Sequence, residues 1–307
     1  MSSSDSAVGA DEPFFRFPPH GDARVVFWNE DCVAGVPRRL APGSVSVVVT
    51  SPPYNRGVRY HRYQDSRPRA AYLGWMREVA QSIDTVLAPT GSFFLNLSGS
   101  PKDPWIPWDV AQVVRERFVL QNVIHWVKSI VIDRAAVGRG SGLKRDLAVG
   151  HYKPLQSTRY LHGAHEYVFH FTRTGDVPVD RLAVGTGYQD KTNVARWKRS
   201  AADRRCRGNT WFLPYATIRS RAHQRPHPAS FPPELAERCI LLHGRSRTRL
   251  VLDPFLGIGS SAVAAARLGI PFVGFDIDPE YLEEARNRVR AAGTGHPSKT
   301  RPTLAGP

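Results

Sequence analysis

The sequence predicts an α/β fold: a Rossmann-like, mainly parallel sheet, permuted in chain order, with an inserted basic lobe. Three observations predict it. Short apolar, β-branched runs alternate with segments of helical period, the pattern of parallel strands joined by crossover helices. A glycine turn, Gly257-Ile258-Gly259, lies between an expected strand and an expected helix, and Asp276 closes the next strand. Of 307 residues only 31 follow Asp276, too few for the remaining strands of such a sheet. Those strands must come from the N-terminal half.

Residues 1–22 begin polar and acidic and read as disordered, with Phe14, Phe15 and Phe17 as an apolar docking point. A strand is expected at 24–28 and another at 44–49, rich in valine and ending abruptly at Thr50-Ser51-Pro52-Pro53-Tyr54. Tyr72, Trp75, Met76, Val79, Ile83 and Val86 recur at helical spacing over 68–87. A strand at 91–97, a helix near 108–117 and a strand at 120–127 follow. Residues 129–225 break the rhythm and keep one clear strand, 166–171. Alternation resumes with a helix at 233–243, a strand at 249–252, a helix at 260–268, a strand at 271–275 and a helix at 279–292. Asp278 suits the cap of that last helix and Pro279 its first position. The expected organisation is a core domain of 23–128 and 226–292, an inserted region of 129–225 whose most basic part is 173–225, and a loose tail from 293 to 307.

The net charge is +15 and the sequence pI about 10.2, a surface suited to a polyanionic partner. No apolar run approaches the ~20 residues of a membrane helix, so no membrane role is expected. The N-terminus resembles neither a signal nor a transit peptide. Cys32, Cys206 and Cys239 are odd in number and lack CxxC spacing, which speaks against a disulfide framework or a metal site and fits a reducing cytoplasm.

Gly257 and Gly259 permit a tight turn and close approach of a ligand to the backbone. Asp276, about 20 residues on, can accept hydrogen bonds from ribose hydroxyls. A dinucleotide would also fit that spacing. Asp253, just before the turn, argues against one: a carboxylate there suits a cationic group, such as the amino group of a methionine moiety, and not a pyrophosphate. A glycine turn with no ligand is the bland alternative.

The turn Ser51-Pro52-Pro53-Tyr54 follows a buried strand, where open α/β sheets bind ligands. The prolines stiffen it and offer carbonyls without amide hydrogens. An exocyclic base nitrogen is a poor nucleophile because its lone pair is delocalised. If Ser51 Oγ and the Pro52 carbonyl accept its N–H bonds, its electron density rises, and Tyr54 offers a face for an unstacked base. A proline turn that merely caps a strand is the alternative.

Over residues 24–290 the chain resembles the β-class DNA amino-methyltransferases. Asn29-Glu30-Asp31-Cys32 resembles the acidic segment that contacts the cofactor adenine, with Glu30 in place of the usual glycine. Ser51-Pro52-Pro53-Tyr54 matches the catalytic motif. Trp126-Val127-Lys128 and His165-Glu166-Tyr167-Val168-Phe169 match later core segments. His227-Pro228-Ala229-Ser230-Phe231-Pro232 matches the motif flanking the bound methionine. Asp253-Pro254-Phe255-Leu256-Gly257-Ile258-Gly259-Ser260 matches the cofactor motif. The catalytic motif preceding the cofactor motif defines the class.

The resemblance implies S-adenosylmethionine as cofactor, held by Asp31, Cys32, His227, Phe231, Asp253, Pro254, Phe255, Gly257, Gly259, Ser260 and Asp276. It implies duplex DNA as partner, base flipping, and methylation with Ser51, Pro52, Pro53 and Tyr54 at the reacting centre. Serine at position 51 is typical of N4-cytosine members, whereas N6-adenine relatives mostly carry Asp or Asn there. A homodimer and a cognate restriction endonuclease are open. No Pro-Cys pair exists, so the covalent thiol route of C5-cytosine enzymes is not expected.

Residues 173–225 hold twelve Arg or Lys against four Asp, interleaved with Tyr188, Trp197, Trp211, Phe212 and Tyr215. This mixture suits phosphate contacts and stacking, in the place of the family's target-recognition region. Arg204, Arg205, Arg207 and Trp211 are the candidate DNA contacts, since arginine reads guanine bidentately. The rivals are an RNA or protein-glutamine methyltransferase, whose cofactor motif usually comes first, and a non-catalytic DNA-binding module.

Overall fold

The computed structural model describes residues 12–18, 24–138, 141–150, 156–188, 192, 194, 203–214 and 230–294. Its strands are β1 (Phe15–Phe17), β2 (Val25–Asn29), β3 (Val45–Thr50), β4 (Leu87–Leu97), β5 (Val119–Val127), β6 (Ser129–Ile132), β7 (Leu147–Gly150), β8 (His165–Thr172), β9 (Thr210–Phe212), β10 (Val251–Asp253) and β11 (Phe272–Asp276). Its helices are α1 (Cys32–Arg39), α2 (Arg69–Val86), α3 (Ile106–Val114), α4 (Pro233–His243), α5 (Ser260–Leu268) and α6 (Pro279–Thr294).

β3 is buried at every position, as a strand covered on both faces must be. It lies inside a nine-stranded sheet of order β1-β2-β11-β10-β3-β4-β8-β5-β9. β2, β11, β10, β3 and β4 are parallel, while β8 runs antiparallel between β4 and β5. Strands β10 and β11, late in the chain, thus fill the gap between β2 and β3, the permuted arrangement expected above. One face packs against α4, α5 and α6 through residues such as Leu235, Ala262 and Leu282. The other packs against α1, α2 and α3 through Val36, Met76 and Val110. Among the described residues no helix is long and apolar enough to cross a membrane.

Five elements differ from expectation: α1, β4, β6, β7 and β9. α1 was not anticipated because Gly35 and Pro37 lower its helix propensity. Asp31 caps it, accepting from Val33 N at 2.7 Å. β4 begins at Leu87, directly after α2. Within 129–225 the chain forms a β6–β7 hairpin and the edge strand β9 besides β8. Phe15 docks through β1 on Phe27, with ring centroids 5.0 Å apart. Of the start expected to be disordered, residues 12–18 are described and carry β1, which pairs with β2; the rest of it and residues 295–307 lie outside the described residues.

A polar chain crosses the core at β4. Ser92 Oγ lies 2.9 Å from both His243 Nδ1 and His170 Nε2, and Asn122 Nδ2 is 3.0 Å from His170 Nδ1. Burial pushes the two imidazoles down, to about 3 for His170 and about 4 for His243, so both are neutral at pH 7. Counting hydrogens then fixes the direction. Asn122 donates to His170, His170 donates to Ser92, and Ser92 donates to His243. Ser92→Ala leaves two buried imidazole nitrogens unpaired, at ~1–3 kcal/mol each. Urea unfolding should show a loss of roughly 2–4 kcal/mol, and an unchanged midpoint would refute the chain.

Candidate active site

Parallel strands deliver their C-terminal turns to one edge of the sheet, so the turns after β3 and β10 are neighbours. Thr50 Oγ1, ending β3, donates to Asp253 Oδ1, ending β10, at 2.6 Å. Ser51 and Pro53 from the first turn and Gly257 from the second line one cavity of about 360 Å³. Tyr72 Oη donates to Pro53 O at 2.7 Å and fixes the proline turn from below.

The glycine turn needs its glycines. Gly259 has φ +74°, and a Cβ there would lie 2.8 Å from Ala285 Cβ. Asp276 receives Gly257 N at 2.8 Å and Asp278 N at 2.9 Å. Burial outweighs these bonds and raises its carboxyl to about 6. Asp31, Cys32, Phe231, Pro254, Phe255 and Ser260 also line the cavity. Burial, with Asp31 beside it, pushes the Cys32 thiol well above its ordinary value, which makes it a poor nucleophile. Glu30, at the usual glycine position, turns onto α1, where Arg38 and Arg39 hold its carboxylate.

Not every expected residue meets the cavity. Gly259 and Pro52 lie behind the wall. Asp253, expected to face a cationic group, is only 1% exposed and is not part of the lining. Phe255 N, Thr50 Oγ1 and Ser261 Oγ satisfy its carboxylate, and burial raises it to about 6. His227 lies outside the described residues, as do Trp197 and Tyr215.

Tyr54 also stays off the lining. Its Oη lies 2.6 Å from Ser51 Oγ and donates to Glu166 Oε2 at 3.0 Å. Asn96 Nδ2 donates to both Tyr54 Oη and Glu166 Oε2 at 2.7 Å. Lys128 Nζ donates to Glu166 Oε1 at 3.0 Å. Burial and the Glu166 carboxylate push the Tyr54 hydroxyl well up, so it is a neutral donor.

Several lining residues escaped sequence reasoning. Tyr60, Arg62, Tyr63, Gln64 and Arg67 come from the loop that follows the proline turn. Asp65, 3% exposed, gathers that loop by accepting from Asn55 N, Arg56 N and Val58 N at 2.7–3.0 Å. Asn55 adopts φ +57° and pairs with the Arg67 backbone in both directions. His61 reaches across to Asp278 at 3.2 Å and stacks on Tyr281. Trp75, whose spacing marked it as core, instead lines the cavity beside Phe255. A run of aromatics straight after the proline turn was the available signal.

The basic segment is partly redirected. Trp211, offered above as a DNA contact, is 1% exposed. It sits on β9 opposite Trp126, and its Nε1 donates to Gly208 O. An indole on an inserted edge strand is drawn into the core, so this expectation is corrected. Arg204 donates to Ala183 O and Gly185 O, and Arg207 to Val184 O; they fasten the preceding turn. Arg205 is exposed.

The DNA methylase family model matches residues 45–287. The type II methyltransferase M.BglII of Bacillus subtilis is 28% identical over 259 residues, covering 80% of this chain; the chain spans 64% of that relative's length. M.HpaI of Haemophilus parainfluenzae is 26% identical over 85% of this chain and 73% of its own. Among solved structures, the cytosine-N4-specific PvuII DNA methyltransferase superposes with a TM-score of 0.58 at 17% identity, covering 91% of this chain and 89% of that one. A DNA modification methylase of Thermus thermophilus, complexed with S-adenosylmethionine, gives 0.54 at 21% identity over 89% and 95%. At such identities these structures share the fold.

The Asp276 carboxyl near 6 makes cavity affinity pH-dependent. The ionised form accepts charge-assisted hydrogen bonds; the form protonated below about 6 carries a hydrogen on one oxygen and accepts more weakly. Calorimetry should show S-adenosylmethionine affinity falling as pH drops through that value. Asp276→Asn should be weaker by about 1.5–3 kcal/mol above it and flat across the same range. Wild-type affinity in the variant would remove the role.

Proposed function

We infer the reaction from one premise: the chain belongs to the DNA methylase family whose model spans residues 45–287, the amino-methyltransferases of adenine N6 and cytosine N4. The proposed reaction is site-specific transfer of a methyl group from S-adenosylmethionine to N4 of cytosine in duplex DNA. The observation that carries it is the meeting of the serine-headed proline turn and the glycine turn on one cavity wall.

The cavity suits the cofactor. Its volume falls within the ~300–1,000 Å³ of small-molecule clefts. Asp31, Asp276 and Asp278 line it beside Arg62 and Arg67, and Trp75, Tyr63 and Phe255 add aromatic surface. Aromatic faces suit a nucleoside base and a cationic sulfur, and the carboxylates suit hydroxyl and ammonium groups. When bound, S-adenosylmethionine supplies a methyl group on a positively charged sulfur, which keeps the bonding pair. Asp276 accepts ribose hydroxyls, and the Gly257 turn lets the ligand approach the backbone.

At the reacting centre Ser51 Oγ accepts an N–H of the target amino group and raises its electron density, an interaction that strengthens as the nitrogen becomes tetrahedral. The nitrogen's excess proton, acidic once the new bond exists, passes to water. The target must leave the duplex stack to reach a cleft at the sheet edge. Serine at position 51, where an amide or carboxylate would suit adenine, favours cytosine, and the cytosine-N4-specific PvuII enzyme shares the fold. Arg205 contributes to DNA binding through phosphate or base contact. A homodimer and a partner endonuclease remain proposals on the family's pattern, as does a cytoplasmic setting.

Tritiated methyl transfer onto duplex DNA, followed by nucleoside digestion, should yield N4-methylcytosine. N6-methyladenine would overturn the base assignment, and label on RNA or protein alone would overturn the substrate.

A lone Arg205→Glu change should weaken DNA binding and flatten its salt dependence, by about one unit in slope for each phosphate that the arginine neutralises in the wild type. Cofactor affinity should not change. Wild-type DNA retention would move the DNA surface elsewhere.

A further inference from the structure

Ser51 works in the reaction above only if its lone pairs, and not its hydrogen, face the target amino group. The hydrogen-bond network behind it settles which. Glu166 Oε1 is held by the Lys128 ammonium, and an ionised carboxylate accepts only. The atom of Asn96 within 2.7 Å of Glu166 Oε2 must therefore be the amide nitrogen, whose second hydrogen goes to Tyr54 Oη. Tyr54 has one hydrogen. Directed anywhere but Glu166, it would leave two oxygens 3.0 Å apart with no proton between them. Tyr54 Oη therefore donates to Glu166, and its 2.6 Å contact with Ser51 must be one in which Ser51 donates.

We propose that Glu166, clamped by Lys128, is a positioning residue that sets the direction of the Glu166–Tyr54–Ser51 chain, so that Ser51 Oγ meets the target amino group as an acceptor. The proposal rests on the reading of Ser51 given above. A second observation supports it. The same arrangement leaves Asn96 Oδ1 buried with no partner among the described residues, a cost a purely structural network would avoid. The three supports come from β4 (Asn96), β8 (Glu166) and the residue after β5 (Lys128). The direction is thus imposed by the sheet and not by the turn itself.

Glu166→Gln keeps the shape and removes the fixed direction. Lys128 retains the side-chain oxygen as its acceptor, so the amide nitrogen takes the place of Oε2 and donates to Tyr54, and Asn96 must turn its oxygen toward it. Tyr54 has lost its anionic acceptor and can donate to Asn96 or to Ser51, so the Ser51 hydrogen is no longer held away from the target. Tyr54→Phe removes the link and keeps the ring.

The test is a single-turnover measurement of tritiated methyl transfer to unmethylated genomic DNA. Cofactor affinity is measured by calorimetry and the tyrosine C–O band by infrared difference against Tyr54→Phe in the cofactor-free protein. Both variants should transfer on the order of 10²-fold more slowly, with cofactor affinity near wild type. The double variant should be no slower than the slower single, since both act through one path. The infrared band should move in Glu166→Gln. A wild-type rate in either variant, additive losses in the double, or an unmoved band would overturn the proposal. If Glu166→Gln does not fold, Tyr54→Phe decides by rate alone. Ser51→Ala separates the two levels. If it transfers at the wild-type rate, the role of Ser51 itself fails; if it is slow while Glu166→Gln is fast, only the directional role of Glu166 fails.

Discussion

Asp253 is a buried carboxylate with no cation beside it among the described residues, and the site is assembled around it. Thr50 Oγ1 from the end of β3, Ser261 Oγ from α5 and Phe255 N from the glycine turn share its two oxygens. Burying an anion on hydroxyl and amide donors alone is costly, and the carboxyl rises to about 6 as a result. The return is geometric. The contact crosses 203 sequence positions and joins the two turns that line the cavity. Without it, β3 and β10 would still pair through Val47 and Val48, but nothing would fix how their ends diverge.

Much of this was legible in the sequence. The helices at 233–243 and 260–268 stand at the expected bounds, because the helical period runs up to Gly244 and Gly269, which end them. The permuted sheet was legible in the late place of the glycine turn and Asp276, after most of the alternating strands and helices. Ser51, Pro53, Gly257 and Asp276 were named from local motifs, and they line one cavity. What stayed hidden depends on register or on irregular backbone. Glu166 and Lys128 are 38 positions apart, and only the β5–β8 pairing brings them together. Tyr60 and Tyr63 sit in a loop without periodicity. Trp75 has the spacing of a core residue, and its face toward a cavity is decided by Phe255 opposite. Trp211 failed in the other direction: aromatic-with-arginine composition reads as a nucleic-acid surface whether the ring points out or in.

Two hydrogen-bond chains cross the sheet, and both have one permitted direction. In the first, neutral imidazoles and Asn122 dictate how Ser92 turns its hydrogen. In the second, the Lys128–Glu166 pair dictates how Tyr54 and Ser51 turn theirs. The first is sealed in the core, where satisfied partners stabilise. The second opens on the cavity, where an acceptor is left over. A serine hydroxyl can point either way at little cost, and in each case its neighbours remove the choice.

The place of β10 and β11 between β2 and β3 has a consequence for synthesis. The end of β3 leaves the ribosome 203 residues before the end of β10 that it must meet. Until residues 251–276 emerge, β2 and β3 have no common neighbour, and two valine-rich edges stand open in the nascent chain. Closing so long a loop is slow, and open strand edges invite pairing with other chains. The helices α2 and α3, already made, can shield only one face of β3 and β4 in that interval. A host producing this protein must therefore tolerate an unfinished sheet until β10 and β11 have been inserted between β2 and β3.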